Sequence, residues 1–185
     1  GNVVHVASNP HRLSTPKPLW SEQDPENWWH ATQESLKEVV RIAGTDADQI
    51  RAIGLTGQMH GLVMLDADGN VLRPAMLWND GRSGAQCDWL RKTIGHEHLI
   101  DITGNDAFEG FTLPKLLWVK ENEPELWART RYVGEYNDWF MQRLTGEWVG
   151  SINNVSLRWY YDRNSGGFPA DFYAAIGLDD VLDKF

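Results

Sequence analysis

Between Leu62 and Trp78 the chain reads LVMLDADGNVLRPAMLW, two apolar runs separated by Asp66-Ala67-Asp68-Gly69-Asn70. Turn chemistry between two apolar runs predicts a hairpin. An antiparallel pair at this place means that the sheet it joins is not wholly parallel. What surrounds the hairpin decides the architecture. From Pro25 to about Ala43, Trp28, Trp29, Ala31, Leu36, Val39, Val40 and Ile42 recur at helical spacing. Ser21-Glu22-Gln23-Asp24-Pro25 reads as the entrance of that helix, with acidic residues in its first turn, and Gly44 as its stop. Further helices are expected at about 83–93, 96–102, 113–122, 125–130 and 136–144, and one or two short ones in the tail from Gly167. Strands are expected at 1–8 (GNVVHVAS), at 51–56 (RAIGLT, a buried strand opening into a loop at Gly57), at 131–133 and near 148–152, with residues 9–20 an extended, proline-rich connection. Strands interleaved with helices define an α/β layered domain in which helices cover a mixed sheet.

Composition narrows the function. The 185 residues are 42% hydrophobic, enough for one domain with its own core. Lys and Arg total 17 against 26 Asp and Glu, a net charge of -9, which argues against nucleic acid as a partner because no extended basic surface is available to neutralise phosphates. The single cysteine, Cys87, allows neither an intrachain disulfide nor a Cys-rich zinc site and fits a reducing compartment. No apolar run approaches the roughly 20 residues of a membrane span, and GNVVHVASNPHR lacks a signal-peptide layout, so a cytoplasmic protein without a membrane partner is expected. The ten tryptophans read either as core or as apolar walls on which the flat face of a sugar stacks.

Two stretches carry candidate chemistry. GLTGQMHG places Gln58, Met59 and His60 between glycines directly after an expected strand. The glycines admit close approach of a ligand to the backbone, while an amide, an imidazole and exposed backbone groups offer donors and acceptors of the kind a polyol needs. The alternative is that His60 starts a strand and hydrogen-bonds a carbonyl while Met59 plugs the core. WNDGR places Trp78, Asn79, Asp80 and Arg82 at a strand-to-helix junction, where ligands gather in open α/β sheets; equally, Asn79 or Asp80 can cap the following helix. GxxxxGK[ST], GxGxxG and GxSxG are absent, and HEH at 96–98 puts its histidines on different helix faces, the mark of a solvated surface and not of a metal site.

Taken together, PLWSEQDPENWW, GLTGQMHGLVMLD, LRPAMLWNDGR, ITGNDAFEGFTLPKLLWVKENEP and DWFMQRLTGEW resemble the FGGY carbohydrate kinases, and among them the xylulokinase-like pentulose kinases. The resemblance runs over most of the chain. It implies an actin-like, ribonuclease-H-like ATPase domain that binds a sugar, in a protein that uses ATP and Mg2+ to phosphorylate a pentulose, D-xylulose to D-xylulose 5-phosphate. It implies that Met59 and His60 contact the pentulose, that Gln58 and Asp80 line the same pocket, and that Phe111 stands near its wall. It also implies that a DxGT-type phosphate loop precedes this sequence and that the general-base aspartate, the adenosine site and the whole second domain lie beyond Phe185. Residues 1–185 would then be part of the N-terminal sugar-binding domain, with no catalytic, cofactor or metal residue of their own and no activity alone. Leu157-Arg158-Trp159-Tyr160 depart from the small residues and threonine expected after the Ser/Asn/Asp cluster, which leaves D-ribulose, a pentitol or glycerol open as substrate. A non-catalytic sugar-binding or regulatory remnant is the alternative from another class, and a homodimer is left open.

Overall fold

The computed structural model describes residues 1–154 and 160–185. Its strands are short: β1 (Glu22–Gln23), β2 (Val63–Leu65), β3 (Ala75–Met76) and β4 (Tyr132–Gly134). β1 pairs with β3 and β2 with β4, both antiparallel, with Glu22 opposite Met76 and Met64 opposite Val133. Bridges at Leu62↔Met76 and Leu65↔Val71 join the two pairs through the expected hairpin, whose turn is held by Asp66 accepting from the backbone N–H groups of Asp68 and Asn70.

β2 explains the layering. Leu62 and Met64 enter one apolar cluster, with Met76, Cys87, Leu90, Leu113, Leu116 and Val119. Their neighbours Val63 and Leu65 point to the opposite face and enter another, with Trp28, Ala75, Leu77, Trp139 and Phe140. An uninterrupted apolar run is what a strand needs when both of its faces are covered. All four residues are fully buried, and each contributes about 1.5–3 kcal/mol of apolar burial. One layer is built by α2 (Gly84–Ile94) and α4 (Thr112–Asn122), with α3 (His96–Thr103) and α5 (Pro124–Arg129) beside them; the other by α1 (Pro25–Ala43) and α6 (Tyr136–Thr145).

α1 occupies the expected residues because its ends are chemically marked. Asp24 accepts from the Glu26 N–H at 3.0 Å, Pro25 takes the first turn, and Gly44 closes the helix in the left-handed region at φ 61°. The tail adds a helix at Ala170–Ala175 and a 3-10 turn at Asp179–Lys184.

Three expected strands, 1–8, 51–56 and 148–152, are not strands here. Each was read from local apolar pattern, but a strand exists only against a partner that takes its backbone groups, and no ladder reaches these segments among the described residues. Their apolar side chains are correspondingly open: Val3 is 81% exposed, Ile53 54% and Ile152 58%. The expectation that 51–56 is buried is therefore corrected. The departure at Leu157, Arg158 and Trp159 lies outside the described residues.

Candidate functional site

Met59 is 56% exposed, so it does not plug the core. His60 lies before β2, not in it, and holds a left-handed backbone at φ 62° without being glycine. That conformation costs on the order of 1–2 kcal/mol and persists only where the surroundings enforce it. Lys115 of α4 reaches this backbone: its Nζ donates to the His60 carbonyl at 2.7 Å and to the Gly110 carbonyl at 2.5 Å. The same bridge brings the His60 ring to Phe111, centroid to centroid 4.9 Å, and Phe108 packs edge-on against Phe111 at 5.7 Å. Gly110 is in turn pressed against the backbone of Trp78; a β-carbon there would sit 2.8 Å from the Trp78 carbonyl oxygen. Gly57 meets the Tyr136 ring just as closely, at 2.3 Å for the same imagined carbon. Close approach, more than unusual dihedrals, is what these two glycines provide. Gln58 donates to Gln23 Oε1 at 3.3 Å, and Trp28 Nε1 donates to the same oxygen at 2.9 Å.

The expected residues thus divide. Gln58, Met59, His60 and Phe111 gather at one surface through the Lys115 bridge and the Gln23 contact. Asp80 stands behind it, 1% exposed, with both oxygens taken: Oδ1 accepts from the Arg82 N–H and Nε, Oδ2 from Arg82 Nη2 and the Ser21 N–H. From Arg82 an alternating ion chain continues to Glu22 at 2.7 Å, from Glu22 to Arg73 at 2.6 Å and from Arg73 to Glu123 at 2.6 Å. Asp80 does not cap α2, whose N-cap is Ser83.

Lys115 was missed by reading the sequence. It is 0% exposed, and burial pulls its ammonium down to about 7 although Asp80 and Glu135 favour the charge. Its signal was a lone cation in TLPKLLWV, one helical turn after Phe111 and flanked by apolar residues that the helix buries. Cys87 is fully buried, and burial pushes its thiol up to about 12, so it is a core residue and not a nucleophile. His96 meets Asp106 at 3.3 Å on an exposed edge, as the solvated reading of HEH expects. A groove of about 530 Å³ lined by Gln86, Trp89, Leu117, Lys120 and Glu121 includes none of the site residues. Among the described residues no helix is long and apolar enough to cross a membrane.

Helices on both faces of short paired strands, with a polar loop before β2, form a layering shared with solved carbohydrate kinases of the actin-like ATPase fold. The xylulose kinase structure from Rhodospirillum rubrum matches with a TM-score of 0.86 at 34% identity, covering 96% of this chain and 37% of that one. The profile of the FGGY family of carbohydrate kinases, N-terminal domain, matches residues 1–182, and the chain belongs to that family. A xylulose kinase of Bacillus subtilis is 47% identical over 146 residues, 79% of this chain and 29% of that protein. One from Escherichia coli is 40% identical over 167 residues, 88% of this chain and 33% of that protein. The chain thus spans about a third of the length of these relatives.

Proposed function

We propose that residues 1–185 are the sugar-binding part of an ATP-dependent pentulose kinase whose substrate is D-xylulose and whose product is D-xylulose 5-phosphate. The observation that supports this most directly is the junction of the Gln58–His60 loop with the Phe111 turn, donors and acceptors beside an aromatic wall, in a chain 47% identical to a xylulose kinase. Gln58, Met59, His60 and Phe111 contact the pentulose in this reading. Asp80 supports the pocket from behind, through Arg82 and the Ser21 backbone. Such a pocket selects by hydroxyl geometry, because each buried donor or acceptor that a wrong sugar leaves unmade costs about 1–3 kcal/mol.

ATP with Mg2+ supplies the transferred phosphoryl group when bound. In this reading the residues that hold ATP and Mg2+ lie in the rest of the longer protein. The work of this chain is to bind and orient the sugar, and orientation is a large part of the rate of a phosphoryl transfer. The phosphate loop, the general base and the second domain belong in this reading to the rest of a longer, cytoplasmic protein.

ADP release coupled to a reporter reaction, with ATP, Mg2+ and in turn D-xylulose, D-ribulose, xylitol and glycerol, tests this on the full-length kinase and on residues 1–185. Turnover of D-xylulose by the full-length protein and none by residues 1–185 is expected. Preference for another polyol would overturn the substrate, and turnover by residues 1–185 would overturn the division of labour.

A further inference from the structure

Lys115 is itself fully buried, yet it joins the two halves of the candidate sugar surface. Its Nζ reaches the carbonyl of His60, in the loop before β2, and the carbonyl of Gly110, in the turn before α4, at 2.7 and 2.5 Å. Each partner is backbone, so the lysine fixes where the chain runs and not merely how one side chain points. The His60 backbone lies in the left-handed region, which an unbraced histidine leaves readily. The next residue after Gly110 is Phe111, whose ring meets that of His60 at 4.9 Å. We infer that Lys115 is the positioning residue of the sugar site, holding His60 and Phe111 in register by bridging the backbones on either side of them. This rests on the sugar-binding reading of those two residues.

The surroundings of Lys115 make the bridge sensitive to pH. Asp80 and Glu135 favour its charge, while burial, as the largest influence, together with Arg82 opposes it, so the ammonium loses its proton near pH 7; Cys87 also faces it and stays a thiol, and the His60 imidazole lies beyond the carbonyl that it holds. A neutral amine still has two N–H groups, but hydrogen bonds from a charged donor are about twice as strong. The bridge therefore weakens as pH rises. Stability moves the other way. Because the folded lysine titrates near 7 and the unfolded one at 10.5, the unfolded state binds the extra proton between those values, and the folded state gains stability as pH rises through that window. A lysine that serves only packing produces the second trend without the first.

The test compares the full-length kinase with its Lys115→Met variant, which keeps the stem and loses the donor. In the variant the KM for D-xylulose rises roughly tenfold or more while the KM for ATP stays within twofold, as expected when both charge-assisted contacts of the bridge are lost. Backbone hydrogen exchange at His60 and Gly61 accelerates while Val63–Leu65 in β2 stay protected, a readout that needs no sugar. Unchanged exchange in a folded variant, or a lower melting temperature with unchanged sugar KM, overturns the inference. Faster exchange in a kinase whose wild type turns over none of the four sugars overturns the substrate reading and leaves the bridge standing. If Lys115→Met does not fold, the wild type decides: its sugar KM rises severalfold between pH 6.5 and 9 with the ATP KM flat, and a flat sugar KM overturns the inference.

Discussion

Arg82 donates to Asp80 at 2.6 Å and to Glu22 at 2.7 Å, and its guanidinium carbon lies 3.5 Å from the centre of the Trp20 ring. Its side chain is 2% exposed. Charges so placed have given up water, and they are compensated only by one another. Removing Arg82 leaves Asp80 without a cation in a dry place and Glu22 with Arg73 alone. Arg82→Leu is therefore expected to lower the unfolding free energy by about 3–5 kcal/mol in a urea titration of residues 1–185, with the slope unchanged; a loss below about 1 kcal/mol would show that the chain is solvated when the protein is in solution. Reading the sequence found Asp80 and Arg82 because both stand in WNDGR, at a strand-to-helix junction. It did not find Glu22, which lies 60 positions away and announces nothing by itself. Lys115 escaped for a related reason: its partners are two carbonyls, and every residue has one.

Elements divide along the same line. α1 was legible to the residue because everything that starts, sustains and stops it lies within Asp24 to Gly44. Its cap is testable. Asp24→Ala should lower stability by about 1 kcal/mol, read as a drop in melting temperature, and Asp24→Asn should restore most of it, since Asn caps as well as Asp. An equal loss in both variants would mean that the charge and not the cap matters. α2 to α6 were likewise read within a residue or two. Strands were less legible because a ladder depends on a remote partner. Residues 131–133 became β4 against β2, whereas 51–56, the longer apolar stretch, found no ladder among the described residues. At the site the candidate loop was legible as chemistry. Which candidate faces outward and which stands behind was not, because Asp80 and Met59 exchange the exposures that their side chains would ordinarily have.

For the whole molecule, the apolar residues left open by those segments have a cost. Val3, Val4 and Val6 are 81, 73 and 75% exposed, and Ile53 and Leu19 are 54 and 74% exposed. Residues 1–185 are expected to self-associate with rising concentration, seen as a growing weight-average mass in sedimentation, despite a net charge of -9 that repels copies. Salt should strengthen the association by screening that charge, and Val4→Lys with Ile53→Lys should weaken it. A constant monomer mass across concentration and salt would count against this. The buried ion chain from Glu123 through Arg73, Glu22 and Arg82 to Asp80 has a further consequence, for descent. A neutral residue at Arg82 leaves Asp80 without a cation, and one at Arg73 leaves Glu123 without one, so a lineage departing at either arginine must pass through a weakened intermediate or change two codons together. Asp80 with Arg82, and Glu123 with Arg73, should accordingly change together, and slowly.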